Sequence, residues 1–357
     1  MKKLFFFAIV ALGMTAACQK PDAPVDETNE PVAIQFGVQA PTLTVTKTKA
    51  AVDDWTGDQE VTIYGYKKND VSTILLNGVT GTVAQSTNPD TEPATADEGS
   101  ITFEEQPYYE GTTVYDFRAI YTGDAVVGEA TTGTTISQTV TIDGDDDIMH
   151  AVTDYANDIL NPDLSDNETL NENRVYSAYA ARRNVHPSLV FSHKLTRFAF
   201  NVTKGNSSDD ALPVKVTGIK VKSQNTGTLY IAGGENEGKF TPTGDPVELS
   251  IKDFETITPT QAPTPAGEIM VFPVTGADEF IEITLALEAT GHTVQPMTVK
   301  LTPKMVSETN SQFEAGKKYN VTFTVYGLEK IKVTAKLTEW VSGGDASYDP
   351  DKYWEAE

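Results

Sequence analysis

From about position 32 the chain alternates apolar and polar residues with a period of two. "EVTIYGY" sets Val61 and Ile63 against Thr62 and Tyr64. "TVYDFRAIY" sets Tyr115, Phe117 and Ala119 against Val114, Asp116 and Arg118. "TISQTVTI" puts Ile136, Val140 and Ile142 on one face and Ser137, Thr139 and Thr141 on the other. "IEITLALE" opposes Ile281, Ile283, Leu285 and Leu287 to Glu282, Thr284 and Glu288. "YNVTFTVY" and "IKVTAKLTEW" repeat the pattern with Tyr319, Val321, Phe323 and Val325, then Ile331, Val333, Ala335 and Leu337. Alternation with one wet face predicts strands of antiparallel sandwich sheets. "YGLE" between the last two runs is a short turn containing glycine, so these two runs are predicted to form a hairpin.

Helix is scarce. "DDIMHAVTDYANDIL", 146–160, can place Ile148, Val152, Tyr155 and Ile159 on one helical face, with Pro162 as a stop. Polar stretches at 84–100, 157–173 and 233–246 read as loops. The passage from loop to strand around "ARRNVHPSLVF" suggests a boundary near Pro187, giving domains 32–187 and 188–357. Near the start, "TLTVTKTK" alternates Leu43 and Val45 with Thr44 and Thr46, then reaches Lys47 and Lys49. The stretch from Ile34 to Val45 therefore reads either as a permanent edge strand, its lysines discouraging edge pairing, or as a strand removable by a cut at a lysine.

The first residues change the picture of compartment. "MKKLFFFAIVALGMTAAC" has two lysines, an apolar run and small residues ahead of Cys18, the pattern of an export signal over 1–17. The run falls short of the about 20 residues that span a bilayer. Cys18 is the only cysteine, so no internal disulfide forms. Its place after Thr15-Ala16-Ala17 resembles a bacterial lipoprotein cleavage box, with Cys18 as the lipidated N-terminus of the mature chain. That implies lipoprotein export machinery and an outer-membrane lipid anchor. "QKPDAPVDETNEP" then reads as an acidic tether, giving 18–31 as lipidated cysteine plus spacer.

The formal charge of −24 over 357 residues argues against nucleic acid as a partner. Catalytic chemistry finds no constellation. His150, His186, His193 and His292 lack metal-ligand spacing. His193 alternates with Phe191 and Leu195 and is predicted to face the core or a domain junction. "DGDDD", 143–147, lacks the calcium-loop pattern and reads as a solvated acidic turn. Tyr108, Tyr109 and Tyr115 read as packing residues rather than a carbohydrate platform. No nucleophile elbow and no phosphate loop occur. No catalytic residue, metal or cofactor is predicted, and the chain is not expected to be an enzyme.

Three motifs follow one another in a telling order: "DDWTGDQEVTIYGY", then "DDIMHA" ahead of "LVFSHKLTRFAFNV", then "FEAGKKYNVTFTVYGLEKIKVTAKLTEW". Together they resemble the fimbrillin family of Bacteroidetes lipoproteins, the subunits of type V pili. The resemblance implies two tandem transthyretin-like antiparallel β-sandwich domains. It also implies a surface location, and assembly with other pilin subunits as a homo- or heteropolymer. In such assembly a trypsin-like surface protease removes the first strand and a donated strand refills the slot. Lys47 or Lys49 stands at the implied cleavage position, where the family pattern has arginine. The acidic tail 341–357, "VSGGDASYDPDKYWEAE", is a poor donor strand. The alternative that this leaves open is a lipid-anchored tip, anchor or accessory adhesin that binds a host glycan or protein.

Overall fold

The computed structural model describes residues 30–39, 55, 57–85, 98–158, 174–183, 185–205, 214–276, 279–291, 294–307, 309, 311–326 and 331–338. The chain divides into two compact units, Met1–Pro31 and Val32–Glu357, and the fold is that of the second. Cys18, Lys47, Lys49, His292 and the tail 341–357 lie outside the described residues.

The first half contributes β1 (Gly37–Gln39), β2 (Glu60–Lys67), β3 (Asp70–Gln85), β4 (Glu98–Thr102) and β5 (Tyr115–Tyr121). It continues with β6 (Val126–Val127), β7 (Ile136–Thr141), β8 (Met149–Thr153), and two one-turn helices, α1 (Tyr155–Asp158) and α2 (Ala178–Ala181). Next come β9 (Ser188–His193), β10 (Thr196–Lys204), β11 (Val214–Ser223), β12 (Thr226–Ala232), β13 (Phe240–Thr243) and β14 (Val247–Ser250). The last strands are β15 (Thr264–Val271), β16 (Ile281–Ala289), β17 (Met297–Leu301), β18 (Lys318–Val325) and β19 (Ile331–Thr338). The protein is all-β, as the period-two pattern predicts.

These strands form four sheets around three apolar cores. Seven close into a barrel in the order β1-β4-β3-β2-β5-β8-β9, filled by residues such as Phe36, Trp55, Phe117 and Leu189. The sheets β15-β10-β18-β19 and β14-β11-β16-β17 share a second core, built from Phe198, Phe200, Ile283, Leu285, Val321 and Phe323 among others. In β16 and β18 the inward set is the one the alternation gives. The β18–β19 pair is an antiparallel hairpin, as expected. A third core joins the small sheet β13-β12-β7-β6 to Tyr64, Tyr66 and Ile120 on the barrel wall. Strand pairing crosses position 187: β9 pairs with β1 and β8, and β7 pairs with β12.

Several local expectations are corrected. The stretch 149–153 is strand β8 rather than helix, because it pairs with β5 on one side and β9 on the other and buries Met149, His150 and Ala151 in succession. Only the single turn α1 within 146–160 is helical among the described residues. Of the 84–100 stretch read as loop, the two ends belong to β3 and β4, which reach Gln85 and Glu98, and 86–97 lie outside the described residues. Residues 240–243 of the 233–246 stretch form β13. Strand β2 has no wet face over Ile63 to Tyr66, because Ile63 faces the barrel core while Tyr64 and Tyr66, on the opposite face, are covered by the small sheet in the third core.

Candidate functional site

The segment around β1 is the part of the fold with a feature beyond packing. Its inward residues are Ile34, Phe36 and Val38, all buried, with Val32 packed against the same core. Gln35 between them is exposed. Phe36 meets Phe117 with ring centroids 5.0 Å apart and Phe103 at 5.9 Å. Edge-to-face packing of this kind adds to the roughly 1.5–3 kcal/mol that each buried apolar side chain contributes.

The backbone of this segment is bonded along both sides. On one side Ile34 N donates to Pro107 O at 2.9 Å, Tyr109 N to Val32 O at 3.0 Å, and Ile101 N to Phe36 O at 3.1 Å. Gln106 Nε2 donates to Ile34 O at 2.8 Å. Farther along, Gly37 to Gln39 lie antiparallel to β4. On the other side Gly37 N donates to Pro187 O at 3.0 Å, and Gly37 to Gln39 run parallel to Ser188, Leu189 and Val190. Over Gly37–Gln39 this stretch is an interior strand, not an edge, while Leu43 and Val45 of the same stretch lie outside the described residues. It sits between two neighbours that are far apart in sequence, and it closes the barrel.

The slot's walls are fixed. The Asp158 carboxylate accepts from Ser188 N at 2.9 Å and from Tyr176 Oη at 2.7 Å, and Asp154 N donates to Ser188 O at 2.9 Å. Burial pushes the Asp158 carboxyl above its ordinary range. Trp55, from the tryptophan-glycine-aspartate turn, is fully buried and packs on Phe191 of β9 with centroids 5.1 Å apart. Gly57 supports that turn with φ of 95°, a left-handed conformation suited to glycine. Tyr109 and Tyr115 are core rings 6.1 Å apart, while Tyr108 is exposed.

At the other end, β19 is the outer strand of its sheet, paired only to β18 among the described residues. Ala335 is buried there, and Val333 and Leu337 pack on the core.

Of the histidines weighed for chemistry, His193 and His150 are hydrogen-bonded into the structure, while the buried His186 Nδ1 finds no protein partner. His193 is buried as expected, its Nδ1 donating to Asp147 at 3.0 Å. His150 Nε2 donates to Ile231 O at 2.8 Å, and burial pushes this imidazole down to about 4. The acidic turn is not simply solvated. Asp146 and Asp147 are buried, and burial pushes the Asp146 carboxyl up to about 6. Lys252 Nζ reaches Asp143 at 2.9 Å and Asp145 at 3.5 Å. Among the described residues no cluster of three or more histidine, cysteine or acidic side chains could hold a metal. A buried group that the alternation did not reveal is Arg197 in β10, whose guanidinium contacts Glu268 of β15, with Lys318 of β18 on the same carboxylate at 2.7 Å.

Residues 48–340 match a family model described as Fimbrillin-like. Among solved structures, a candidate cell adhesion protein from Bacteroides uniformis ATCC 8492 is 18% identical with a TM-score of 0.51, covering 89% of this chain and 100% of its own. A fimbrial protein from Bacteroides vulgatus ATCC 8482 is 12% identical with a TM-score of 0.47, covering 86% and 99%. The fimbrial anchor protein Mfa2 from Porphyromonas gingivalis is 12% identical with a TM-score of 0.40, covering 87% and 99%. The first of these likenesses supports the all-β fold, and at such identities it speaks of fold alone. No curated protein sequence matches the chain.

Proposed function

The chain belongs to the fimbrillin-like family, and from that premise we propose that it is a fimbrial subunit, delivered as a lipoprotein, that assembles by exchange of its first strand. Membership makes it a fimbria-related structural protein at the cell surface, not an enzyme. The finer steps are our reading. Cys18 carries the lipid that tethers the precursor to the outer membrane. A trypsin-like surface protease cuts after Lys47 or Lys49. The strand from Val32 to Val38 then leaves, and another subunit's strand enters the barrel in its place.

The observation that carries this reading is the two-sided bonding of β1. Removing the strand would leave unpaired N–H and C=O groups on both walls and an apolar channel between them. Such a slot is a template for strand addition. Contacts passed head to tail that do not close produce filaments. Cleavage alone would not empty the slot, because the hydrogen bonds and three buried side chains hold the strand after the chain is cut. An incoming strand must displace it.

The test is limited trypsin cleavage of the purified chain, followed by mass spectrometry and light scattering. With a competing strand supplied, from another subunit or as a synthetic peptide, loss of the segment through Lys47 or Lys49 and its replacement in the slot is the expected result. A cut chain that keeps its strand against every competing strand would overturn strand exchange. A second reading, a lipid-anchored tip, anchor or accessory adhesin for a host glycan or protein, is favoured by the composition of 341–357, which interrupts any apolar alternation with Gly343, Gly344 and Pro350. An N-terminus still at a lipidated Cys18 on mature cells would support it.

A further inference from the structure

The slot also has a shape that restricts what fills it, an inference that rests on the strand-exchange reading. Two positions of the resident strand are unlike the rest. At position 36 the pocket is aromatic on two sides, from Phe117 and Phe103, and the Phe36 ring fills it. Phe117 is paired with Gly65 of β2 and its ring lies over that glycine, where a Cβ would come within 2.8 Å of the ring. The glycine leaves room for the Phe117 ring, which with Phe103 lines a pocket filled by an aromatic side chain.

At position 37 the strand comes unusually close to β9. A Cβ there would lie 2.9 Å from Ser188 Oγ and 3.5 Å from Ser188 Cβ. The serine hydroxyl can rotate away, but its backbone cannot retreat. Its N–H is held by Asp158, and its carbonyl by the Asp154 N–H. A Cβ alone would rest at contact distance from the Ser188 Cβ, so what the slot disfavours after its aromatic anchor is a longer or branched side chain, and glycine fits it without displacing the hydroxyl.

This chain has few segments that meet the requirement. An aromatic residue adjacent to glycine occurs at Phe36-Gly37, in Tyr64-Gly65-Tyr66 within β2, and at Tyr326-Gly327. From Ile331 to Glu357, which includes β19, no aromatic residue adjoins a glycine in either direction. Strand β19 itself, "IKVTAKLT", contains neither.

We infer that the slot selects a strand reading apolar, any, aromatic, glycine, apolar, and that its occupant is a segment of a different polypeptide rather than β19 of a second copy. The selection has two parts. The aromatic supplies contact with Phe117 that Val333 or Ala335 cannot reach, and the glycine avoids Ser188, which Lys or Thr at the same register would meet.

The test uses the full chain with a recognition site for a sequence-specific protease inserted after Lys49. After cutting, verified by intact mass, fluorescent peptides are offered to the folded protein in large excess over the held resident strand, so that they compete with it for the slot. One is 32–40, "VAIQFGVQA". Two others are the same peptide with Phe36→Ala or Gly37→Val, and a fourth is 331–339. The 32–40 peptide is expected to enter stoichiometrically, the two variants to bind at least tenfold more weakly, and the 331–339 peptide not to enter. Entry of 331–339 as tight as that of 32–40, or unchanged binding of both variants, overturns the selection rule while leaving strand exchange standing. Failure of every peptide, 32–40 included, overturns strand exchange itself. Gly37→Val in the uncut chain checks the Ser188 contact without exchange. It should lower the melting temperature, and an unchanged value would overturn the steric part.

Discussion

Phe36 and Phe117 meet edge-on, their planes at 89° and their centroids 5.0 Å apart. One ring belongs to the strand that closes the barrel and the other to β5 in its wall. Phe36→Ala should cost about 3–5 kcal/mol, the range for a buried aromatic reduced to alanine. Phe117→Ala should cost about as much. The double variant should lose less than the sum by about 0.5–1.5 kcal/mol, the aromatic pair's own contribution. Chemical denaturation of the four proteins measures this, and strict additivity would show that the rings do not act as a pair.

The buried charges in the second sandwich allow a sharper expectation. Arg197 is almost fully enclosed in β10, and Glu268 is the carboxylate that it shares with Lys318. Glu268→Gln keeps the shape but leaves two cations beside one another with the anion gone. Breaking a buried pair in this way costs about 3–5 kcal/mol. A denaturation midpoint close to that of the unaltered chain would show that solvent reaches the site and screens it.

Asp146 and His150 should oppose each other in acid. Burial lowers the His150 imidazole to about 4 against an ordinary 6.5, so its neutral form is favoured in the fold. Its contribution is full above pH 6.5 and is lost as pH falls toward 4, amounting to about 3 kcal/mol. Lys194 and Arg118 act in the same direction, while Glu237 and the hydrogen bond to Ile231 oppose it. Burial raises Asp146 from 3.8 to about 6, so the folded state prefers its protonated form. Its cost appears as pH rises from about 4 to 6, of a similar order. Over that window the two slopes partly cancel. Asp146→Asn should therefore raise stability at pH 7 and make the acid loss steeper. His150→Gln should make stability fall as pH rises through the same window. Thermal melts at pH 4, 5, 6 and 7 measure both, and parallel profiles for the two variants would refute the assignment.

The same residues show what could be read in advance. Strands β16 and β18 were legible because one face meets a core and the other meets water, so the period of two survives. Strand β8 reads as helical in the sequence because three successive residues are buried, covered on both faces of the sheet, which erases the period. Tyr64 and Tyr66 are buried by a sheet made from residues 126–127, 136–141, 226–232 and 240–243, a contact no local pattern announces. Asp147 looked solvated until its partner, His193, was brought to it from 46 positions away. In the slot, the apolar set Ile34, Phe36 and Val38 was visible from sequence. That Pro107 and Pro187 would supply acceptors on its two sides was not, since that pairing is set by closure of the barrel.

The acidic turn at 143–147 gives the last prediction: calcium should not stabilise this protein through it. Asp146 accepts from Asp143 N at 2.9 Å, and Asp147 is engaged by His193. Asp143 and Asp145 share Lys252, so a cation of the protein's own already sits where a metal would have to enter. Calcium would have to displace the ammonium and draw in six or more oxygen ligands, from carboxylates of which two are buried and turned elsewhere. Lys252 and its partners are each about half exposed, so Lys252→Ala should cost no more than about 1 kcal/mol. A melt of the native chain with millimolar calcium should match one with chelator. A ligand that bound only the folded state at a hundred times its dissociation constant would add about 2.7 kcal/mol. An upward shift of that size, abolished by Asp143→Asn, would show that the turn exchanges its lysine for a metal.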